Sequence, residues 1–281
     1  DGGIDYYSYD SRDIRHVPSD KPIQYAVSAW EQGDTLWIIT LGYGIYKARI
    51  EGQTSQPRLT DIRQYTLDDG KRSSNYFFGM THDDKGQLWF ANRGKGVVTL
   101  KDGKLVHVPP TSKYTDQGVY DVFAVLWVDG DLWVGTGCGL GIMHKDGSGT
   151  YLTTHDGLPN NTIHALLKTP NGNVTATTNN GIAFFLNKDP HSILIYNNND
   201  VSEYSDGAAS FARGKILLGG INGVGHYLFH LDSAAHGRAS SLLREKRNEI
   251  PAMGTFVEKH ISSLSGGTFK PESEHPSLKS I

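Results

Sequence analysis

The fold is decided by residues 161–196, which read NTIHALLKTPNGNVTATTNNGIAFFLNKDPHSILIY. Four short hydrophobic segments, residues 161–167, 174–178, 182–186 and 193–196, are separated mainly by turns that contain Pro, Asn and Gly. Gly supplies the positive φ that tight hairpin turns require, and Asn and Pro favour turn positions. The stretch therefore predicts four short antiparallel strands joined by turns, which is the make-up of one β-propeller blade.

One pattern occurs five times along the chain: a hydrophobic triplet, a few small or polar residues, then Gly and an aliphatic residue. The copies are Leu36-Trp37-Ile38 to Gly44-Ile45, Leu88-Trp89-Phe90 to Gly96-Val97, Leu132-Trp133-Val134 to Gly139-Leu140, Val174-Thr175-Ala176 to Gly181-Ile182, and Ile216-Leu217-Leu218 to Gly223-Val224. They begin 52, 44, 42 and 42 residues apart, close to the roughly 40–50 residues of a propeller blade. The predicted fold is an all-β propeller of four-stranded antiparallel blades with five repeats visible, either a small propeller or part of a seven-bladed one. A β-sandwich, which also uses Asn-Gly and Asp-Gly hairpins, is the alternative, but regular repetition of the whole pattern argues against it.

The chain divides into a repeat region and a tail. Residues 1–232 carry the five repeats, and every Trp and Tyr lies at or before Tyr227. Residues 233–281 show no repeat, and their Ser-rich and Gly-rich segments predict a linker or disorder. A short helix is expected over residues 240–249, with a Ser as its cap.

Composition excludes several function classes. The formal net charge of the 281 residues is -3, from 27 Lys and Arg against 30 Asp and Glu, so no basic field attracts nucleic acid or an anionic membrane. The single cysteine, Cys138, allows neither an intrachain disulfide nor a cysteine-based zinc site. No stretch reaches the roughly 18 apolar residues of a membrane span. We therefore predict no nucleic-acid partner and no membrane contact by this segment.

Two of the repeats resemble a known family. Asp156-Gly157-Leu158-Pro159-Asn160-Asn161-Thr162-Ile163, followed by Asn171-Gly172-Asn173 and Asn179-Asn180-Gly181-Ile182, resembles the two-component regulator propeller repeat. So does Gly130-Asp131-Leu132-Trp133-Val134-Gly135-Thr136 with Gly139-Leu140. The resemblance covers about residues 6–230 and is weaker in repeats one, two and five, where the Leu-Pro-Asn element is missing.

The resemblance implies both a location and a role. Repeats of this family build the periplasmic sensor region of hybrid two-component systems, which detect oligosaccharides released from polysaccharides. Full sensors carry two seven-bladed propellers, an immunoglobulin-like domain, a membrane span and a histidine kinase, so five repeats imply a fragment of such a sensor or a shortened relative. The expected partner is an oligosaccharide or other small ligand, with a homodimer formed through the full sensor. We expect no cofactor and no catalysis by this region.

Candidate ligand residues come from two sets of loops. We label the strands of a blade A to D; the DA loop leads into strand A, and the BC loop joins strands B and C. These loops share one face of a propeller, and Tyr rings, amides and an Arg suit a sugar, which needs apolar stacking and hydrogen bonds. The predicted ligand-binding residues are Tyr43, Asn75, Tyr76, Arg93, Tyr120, Asp121, Asn161 and Asn180. Other members of the same loops are Tyr25, Asn92, Lys95, Cys138, Asn160, Asn179 and Asn222.

Several of these residues also have a purely structural interpretation. An Asn that precedes Gly forms turns without any ligand, and the tyrosines of the DA loops could pack between blades. Trp37, Trp89 and Trp133 share one position of the repeat and are expected in the core between blades.

Other functions stay open from the residues alone. A propeller glycoside hydrolase needs two facing carboxylates, and only Asp121 clearly lies in a DA loop. Other carboxylates lie farther out, namely Asp116, Asp156 and Asp206. A polysaccharide lyase needs a base near an Arg, and the candidates are His82, His155 and His164. His164 alternates with small and aliphatic neighbours and is expected between blades. A protein-interaction propeller is the third possibility, and no metal site is predicted.

Overall fold

The fold consists almost entirely of β-strands. A computed structural model describes residues 3–8, 12–53, 56–67, 74–108, 120–169, 172–196, 203–212, 215–220 and 223–227. Within these ranges there is no α-helix, and helical turns are short 3-10 segments such as Thr154–Asp156 and Leu186–Lys188. The predicted tail over residues 233–281, its short helix and Asn222 lie outside the described residues.

The strands form antiparallel sheets in which neighbours in sequence pair with each other. A two-stranded hairpin, β1 (Asp5–Ser8) with β2 (Asp13–His16), comes first. Blade 1 contains β3 (Ala26–Gln32), β4 (Thr35–Thr40), β5 (Ile45–Gln53) and β6 (Gln56–Tyr65). Blade 2 contains β7 (Phe77–His82), β8 (Leu88–Asn92), β9 (Gly96–Lys101) and β10 (Lys104–Val108). Blade 3 contains β11 (Val122–Val128), β12 (Asp131–Thr136), β13 (Leu140–Met143) and β14 (Gly149–Leu152).

The later sheets follow the same plan. Blade 4 contains β15 (Ile163–Lys168), β16 (Val174–Thr178), β17 (Gly181–Phe185) and β18 (Ile193–Tyr196). Blade 5 contains, among the described residues, β19 (Tyr204–Ala212), β20 (Lys215–Gly220) and β21 (Gly223–Tyr227). Strands A to D pair in simple order within each four-stranded sheet, as they do in a propeller blade. The predicted all-β propeller fold is confirmed.

The repeated glycine of the pattern has a local conformational cause. Gly44, Gly96 and Gly181 stand at the start of strand C and adopt φ values of 78°, 74° and 100°, a region that residues with a Cβ rarely occupy. A Cβ at Gly44 would also overlap the carbonyl oxygen of Tyr65 on strand D. The glycine therefore permits both the BC turn and the close approach of strand D.

The contacts divide the chain into two compact units, residues 1–137 with 142–149, and residues 138–141 with 150–281. In the first unit, one buried cluster joins Trp37 of blade 1 to Phe77 and Phe90 of blade 2. Another joins blades 2 and 3, and Trp89 packs against it. These contacts place Trp37 and Trp89 in the core between blades, as predicted. In the second unit, a buried cluster of apolar residues from blades 4 and 5 forms the core.

Strand A of every blade carries a β-bulge directly after its first residue. The register shifts between Ala26 and Ser28, Phe77 and Gly79, Val122 and Ala124, and Ile163 and Ala165. On β19 the shift is larger and spans Tyr204 to Ala209. A bulge removes a residue from the ladder and re-aims its side chain. We call the residues at these positions the bulge residues; they are Val27, Phe78, Phe123, His164 and, within the larger bulge, Asp206.

Candidate functional site

Backbone hydrogen bonds join the DA and BC loops of the first unit. Within a blade, the backbone N–H of the residue after strand B donates to the carbonyl of the residue just before strand A. The three bonds run from Leu41 to Tyr25 at 3.0 Å, from Arg93 to Tyr76 at 3.0 Å, and from Gly137 to Asp121 at 3.1 Å. Between blades, Gly42 donates to Asn75 at 2.9 Å and Gly96 to Tyr120 at 3.0 Å. The first unit therefore brings both sets of loops together, as the propeller prediction requires.

An aromatic pair stands on this loop face in blade 1. The rings of Tyr25 and Tyr43 are stacked with centroids 5.7 Å apart and planes 5° apart. Tyr25 is 59% exposed and has a φ of 50°, in the left-handed region that is uncommon for a residue with a bulky side chain. Such strained residues cluster at functional sites. Tyr43 is half-buried, and its carbonyl accepts a hydrogen bond from the Gln64 side chain at 2.8 Å.

The bulge residues add apolar surface next to the loops. Phe78 and Phe123 are half-buried, and their rings meet edge to face with centroids 5.5 Å apart. Val27 and Tyr120 are exposed. Because these positions directly follow the DA loops, the first unit presents aromatic and aliphatic side chains beside the predicted polar residues.

The polar residues of the first unit take two different positions. Asn75 is only 2% exposed, and its side-chain oxygen accepts a hydrogen bond from the Leu67 N–H at 2.9 Å. Asn92 is also buried and donates to the Ser74 carbonyl. These two amides hold the loops in place. The remaining predicted residues, Tyr76, Arg93 and Asp121, reach the surface to a greater extent.

Positive charge near these loops comes from side chains other than histidine. Arg93 and Lys95 are exposed in the BC loop of blade 2. Burial, and then the charge of Lys95, lower the pKa of His107. This imidazole is therefore neutral at neutral pH. Arg93 pairs with Asp121 through the backbone, in an isolated β-bridge.

In the second unit, several predicted amides stabilise turns. The side-chain oxygen of Asn161 accepts a hydrogen bond from the Thr154 N–H at 2.8 Å, and that of Asn160 accepts one from the Thr162 N–H at 2.9 Å. Asn180 is exposed in the BC loop, where its N–H donates to the Thr178 hydroxyl at 3.0 Å. Asn180 is thus the more accessible of the two predicted ligand residues in this unit.

An ionisable cluster links blades 4 and 5. His164 Nδ1 lies 2.6 Å from Asp206 Oδ1, and His164 Nε2 lies 2.5 Å from the side-chain oxygen of Asn179. Burial lowers the pKa of His164 and is the largest single influence, but the hydrogen bonds to Asp206 and Asn179 and the charges of Asp206 and Glu203 outweigh it, so that the pKa is raised. The sequence placed His164 between blades but did not identify its partners.

Other candidate chemistries find little support in the part of the chain that the structure describes. Cys138 is a thiol whose sulfur accepts a hydrogen bond from the Tyr151 hydroxyl at 3.1 Å. No group of three or more His, Cys, Asp and Glu side chains among the described residues could hold a metal ion. No helix in these ranges is long and apolar enough to cross a membrane.

Sequence reasoning missed the bulge residues as a set. Their signal is positional: Val27, Phe78, Phe123 and His164 are each the second residue of strand A, and Asp206 is the third residue of β19. Once the repeats are aligned, Phe78 and Phe123 fall at the same position as His164. That alignment identifies a variable side chain next to the loops, although it does not reveal the bulge.

No protein-family model matches the chain, and no curated protein is significantly similar to it. Two solved structures with a similar fold are extracellular domains of hybrid two-component systems from B. thetaiotaomicron. One is 22% identical with a TM-score of 0.66 over 84% of this chain, and the other is 19% identical with a TM-score of 0.60 over 83%. The chain spans 32% of the length of each. The fold is thus similar to that of two-component sensor propellers, in agreement with the resemblance seen in the repeats.

A third similar structure corrects one expectation. Virginiamycin B lyase from Staphylococcus aureus is 17% identical with a TM-score of 0.56, over 78% of this chain and 71% of the lyase. The expectation that this region is not an enzyme is wrong, because an enzyme is among the proteins that have a related propeller fold. The expectation failed because it rested on the sensor resemblance, and one fold can carry unrelated functions.

Proposed function

We propose that the chain is the ligand-sensing propeller region of a two-component sensor, located in the periplasm, and that the loop face of its first unit binds an oligosaccharide. The similarity to extracellular domains of hybrid two-component systems supports the sensing role and the extracytoplasmic location. The observation that carries the ligand assignment is the exposed ring of Tyr25, which is stacked on the half-buried ring of Tyr43.

The chemistry of a sugar fits the apolar part of this face. A pyranose ring has C–H faces that stack on aromatic rings and hydroxyls at its rim that form hydrogen bonds. Tyr25 presents its ring to solvent, and Phe78 and Phe123 add a half-exposed surface at the adjacent bulges.

The polar part of the face supplies hydrogen-bonding groups at the rim. The hydroxyls of Tyr76 and Tyr120 can donate and accept, Arg93 donates, and Asp121 accepts. In this proposal Asn75 positions the loops through its buried hydrogen bond to Leu67. The predicted ligand residues of the second unit, Asn161 and the exposed Asn180, stay a separate prediction.

Ligand binding in this proposal changes the packing between propellers or protomers of a dimeric sensor. The change is then passed to a histidine kinase outside these residues. Binding should therefore be measured on the full-length sensor as well as on this chain.

Isothermal titration calorimetry against plant cell-wall and host-glycan oligosaccharides tests the ligand assignment. We expect at least one sugar to bind, and Tyr25→Ala and Phe123→Ala to weaken its binding about tenfold, the effect of losing roughly 1.4 kcal/mol. Tyr7→Ala is the matched control, because Tyr7 is also exposed but lies on the β1 hairpin. No binding by the folded full-length sensor across the panel, or unchanged affinity in both variants, would refute the assignment.

The same sugars should be analysed by chromatography after incubation with the protein, because an enzyme is among the similar structures. Release of cleavage products would assign the chain to the propeller lyases or hydrolases instead.

A further inference from the structure

The ionisable cluster of the second unit is built by the bulges of two adjacent blades. His164 is the bulge residue of β15, and Asp206 lies within the larger bulge of β19. The cross-blade contact is short, at 2.6 Å between Nδ1 and Oδ1, and the His164 side chain is only 12% exposed. β20 packs closely behind the larger bulge, since a Cβ at Gly219 would lie 2.9 Å from the Cβ of Ala208.

The equivalent contact in the first unit is apolar. There the bulge residues of blades 2 and 3 are Phe78 and Phe123, whose rings also meet across the two blades. The bulge position therefore provides a contact between adjacent blades in both units. In blades 4 and 5 that contact is made instead by an imidazole and a carboxyl group, and histidine is the side chain whose charge ordinarily changes near neutral pH.

Both ring nitrogens of His164 face oxygen acceptors. Asp206 is on one side, and the Asn179 side-chain oxygen is on the other. A neutral imidazole has one N–H donor, whereas the imidazolium has two. With the Asn179 amide oriented so that its oxygen faces Nε2, only the charged form satisfies both contacts. On loss of the proton, one nitrogen becomes an acceptor that faces another acceptor, and one contact must break or rearrange.

The charged groups around the imidazole favour its protonation. Asp206 and Glu203, at and just before β19, act on it with negative charge. The paired strand β16 contributes only uncharged residues, since it reads VTATT, and the BC loop contributes the neutral amide of Asn179. No positive charge among these elements opposes protonation.

We propose that His164 is a proton-dependent clasp that holds blade 4 to blade 5 when it is protonated, and that one of its two contacts breaks or rearranges when it is neutral. The proposal is independent of any ligand. The pKa of His164 is raised in the folded protein, so its contribution to stability is fully present below the unfolded pKa, near 6.5. That contribution is lost as the pH rises through the higher folded pKa.

NMR titration of the histidine ring protons in the whole chain, from about pH 5 to about pH 9, tests the clasp, with His164→Gln used to assign the resonance. We expect a His164 pKa above the ordinary histidine value. Asp206→Asn should lower the pKa of His164 below the wild-type value, because the negative charge of Asp206 then no longer offsets the effect of burial. A His164 pKa at or below the ordinary value, or no change in Asp206→Asn, would overturn the proposal.

Thermal unfolding gives a second measurement. In acid, the melting temperature of the wild type should exceed that of His164→Gln by roughly 2–4 °C. This difference in melting temperature should shrink as the pH rises. His191→Gln, in an exposed turn, is the control and should show no such trend. A difference that is independent of pH would also overturn the proposal. If His164→Gln fails to fold, the titrations of the wild type and Asp206→Asn decide.

Discussion

Replacement of Tyr25 separates the stability of the first unit from its proposed binding function. Tyr25 combines an exposed ring with a φ of 50°. A ligand would use the ring, whereas the backbone conformation imposes a strain that glycine does not share. We compare Tyr25→Gly, which removes both the ring and the strain, with Tyr25→Ala, which removes only the ring.

The expected magnitudes follow from three opposing effects. Relief of the left-handed conformation favours the glycine variant by about 1–2 kcal/mol, and the greater chain entropy of unfolded glycine opposes it by roughly 0.5–1 kcal/mol. Loss of the stacked contact with Tyr43 costs both variants at the lower end of about 0.5–1.5 kcal/mol, because the Tyr25 ring is 59% exposed. Tyr25→Gly should therefore lie within about 1 kcal/mol of the wild type and above Tyr25→Ala.

Urea unfolding followed by tryptophan fluorescence measures this order of stability. All five tryptophans, the last of which is Trp133, belong to the first unit, which also contains Tyr25. Calorimetry with a sugar that binds the wild type should show the same loss of affinity, about tenfold, in both variants. A glycine variant less stable than the alanine variant would refute the strain argument, and wild-type affinity in both variants would refute the role of the ring.

Three further substitutions test individual packing and hydrogen-bonding features. Asn75→Ala leaves a buried N–H without its acceptor and should lower the free energy of unfolding in urea by about 1–3 kcal/mol. The control Asn180→Ala, at an exposed position, should change it by no more than about 0.5 kcal/mol. A loss of sugar affinity in Asn75→Ala without a loss of stability would instead make Asn75 a ligand residue. Gly44→Ala combines left-handed strain with overlap of a carbonyl oxygen. It should lower the free energy of unfolding, followed by tryptophan fluorescence, more than Gly103→Ala does, since Gly103 has a similar φ but nothing within 4 Å of an added Cβ. Equal losses in the two variants would contradict the close approach of strand D to Gly44. Phe184→Ala removes a ring that is 1% exposed in the second core and should cost about 3–5 kcal/mol, measured by calorimetry because the tryptophans report on the other unit; a small effect would show that the ring is not packed there.

Much of the fold could be predicted because its signals are local. Hairpin glycines and strand hydrophobicity depend on neighbours a few residues away, and the repeat multiplies that information. In blade 4 the predicted strand over residues 174–178 coincides with Val174–Thr178, and the strand predicted over 193–196 coincides with Ile193–Tyr196. The strand predicted from residue 161 begins two residues later, at Ile163, because Asn160 and Asn161 are engaged in turns.

Less of the candidate site could be predicted, because its contacts join residues that are distant in sequence. Asn75 and Tyr76 are adjacent, yet only Asn75 is almost fully buried, since its side chain accepts a hydrogen bond from the N–H of Leu67, two residues after strand D of blade 1. The stack of Tyr25 on Tyr43 depends on the way in which the DA and BC loops meet. No local pattern specifies either arrangement.

The sequence by itself determined the propeller blades, their boundaries to within a few residues, and the loops that bring polar and aromatic residues to one face of the first unit. These features follow from turn chemistry and from hydrophobic periodicity, both of which act along the chain. Only the tertiary structure decided which of those side chains are buried, which are exposed, and which meet across blades. The bulges illustrate the difference: one shift in register after the first residue of strand A turns Phe78 toward Phe123 and His164 toward Asp206, 42 residues away. The chemistry of these contacts depends on the pairing of separate strands, which no single stretch of the chain contains.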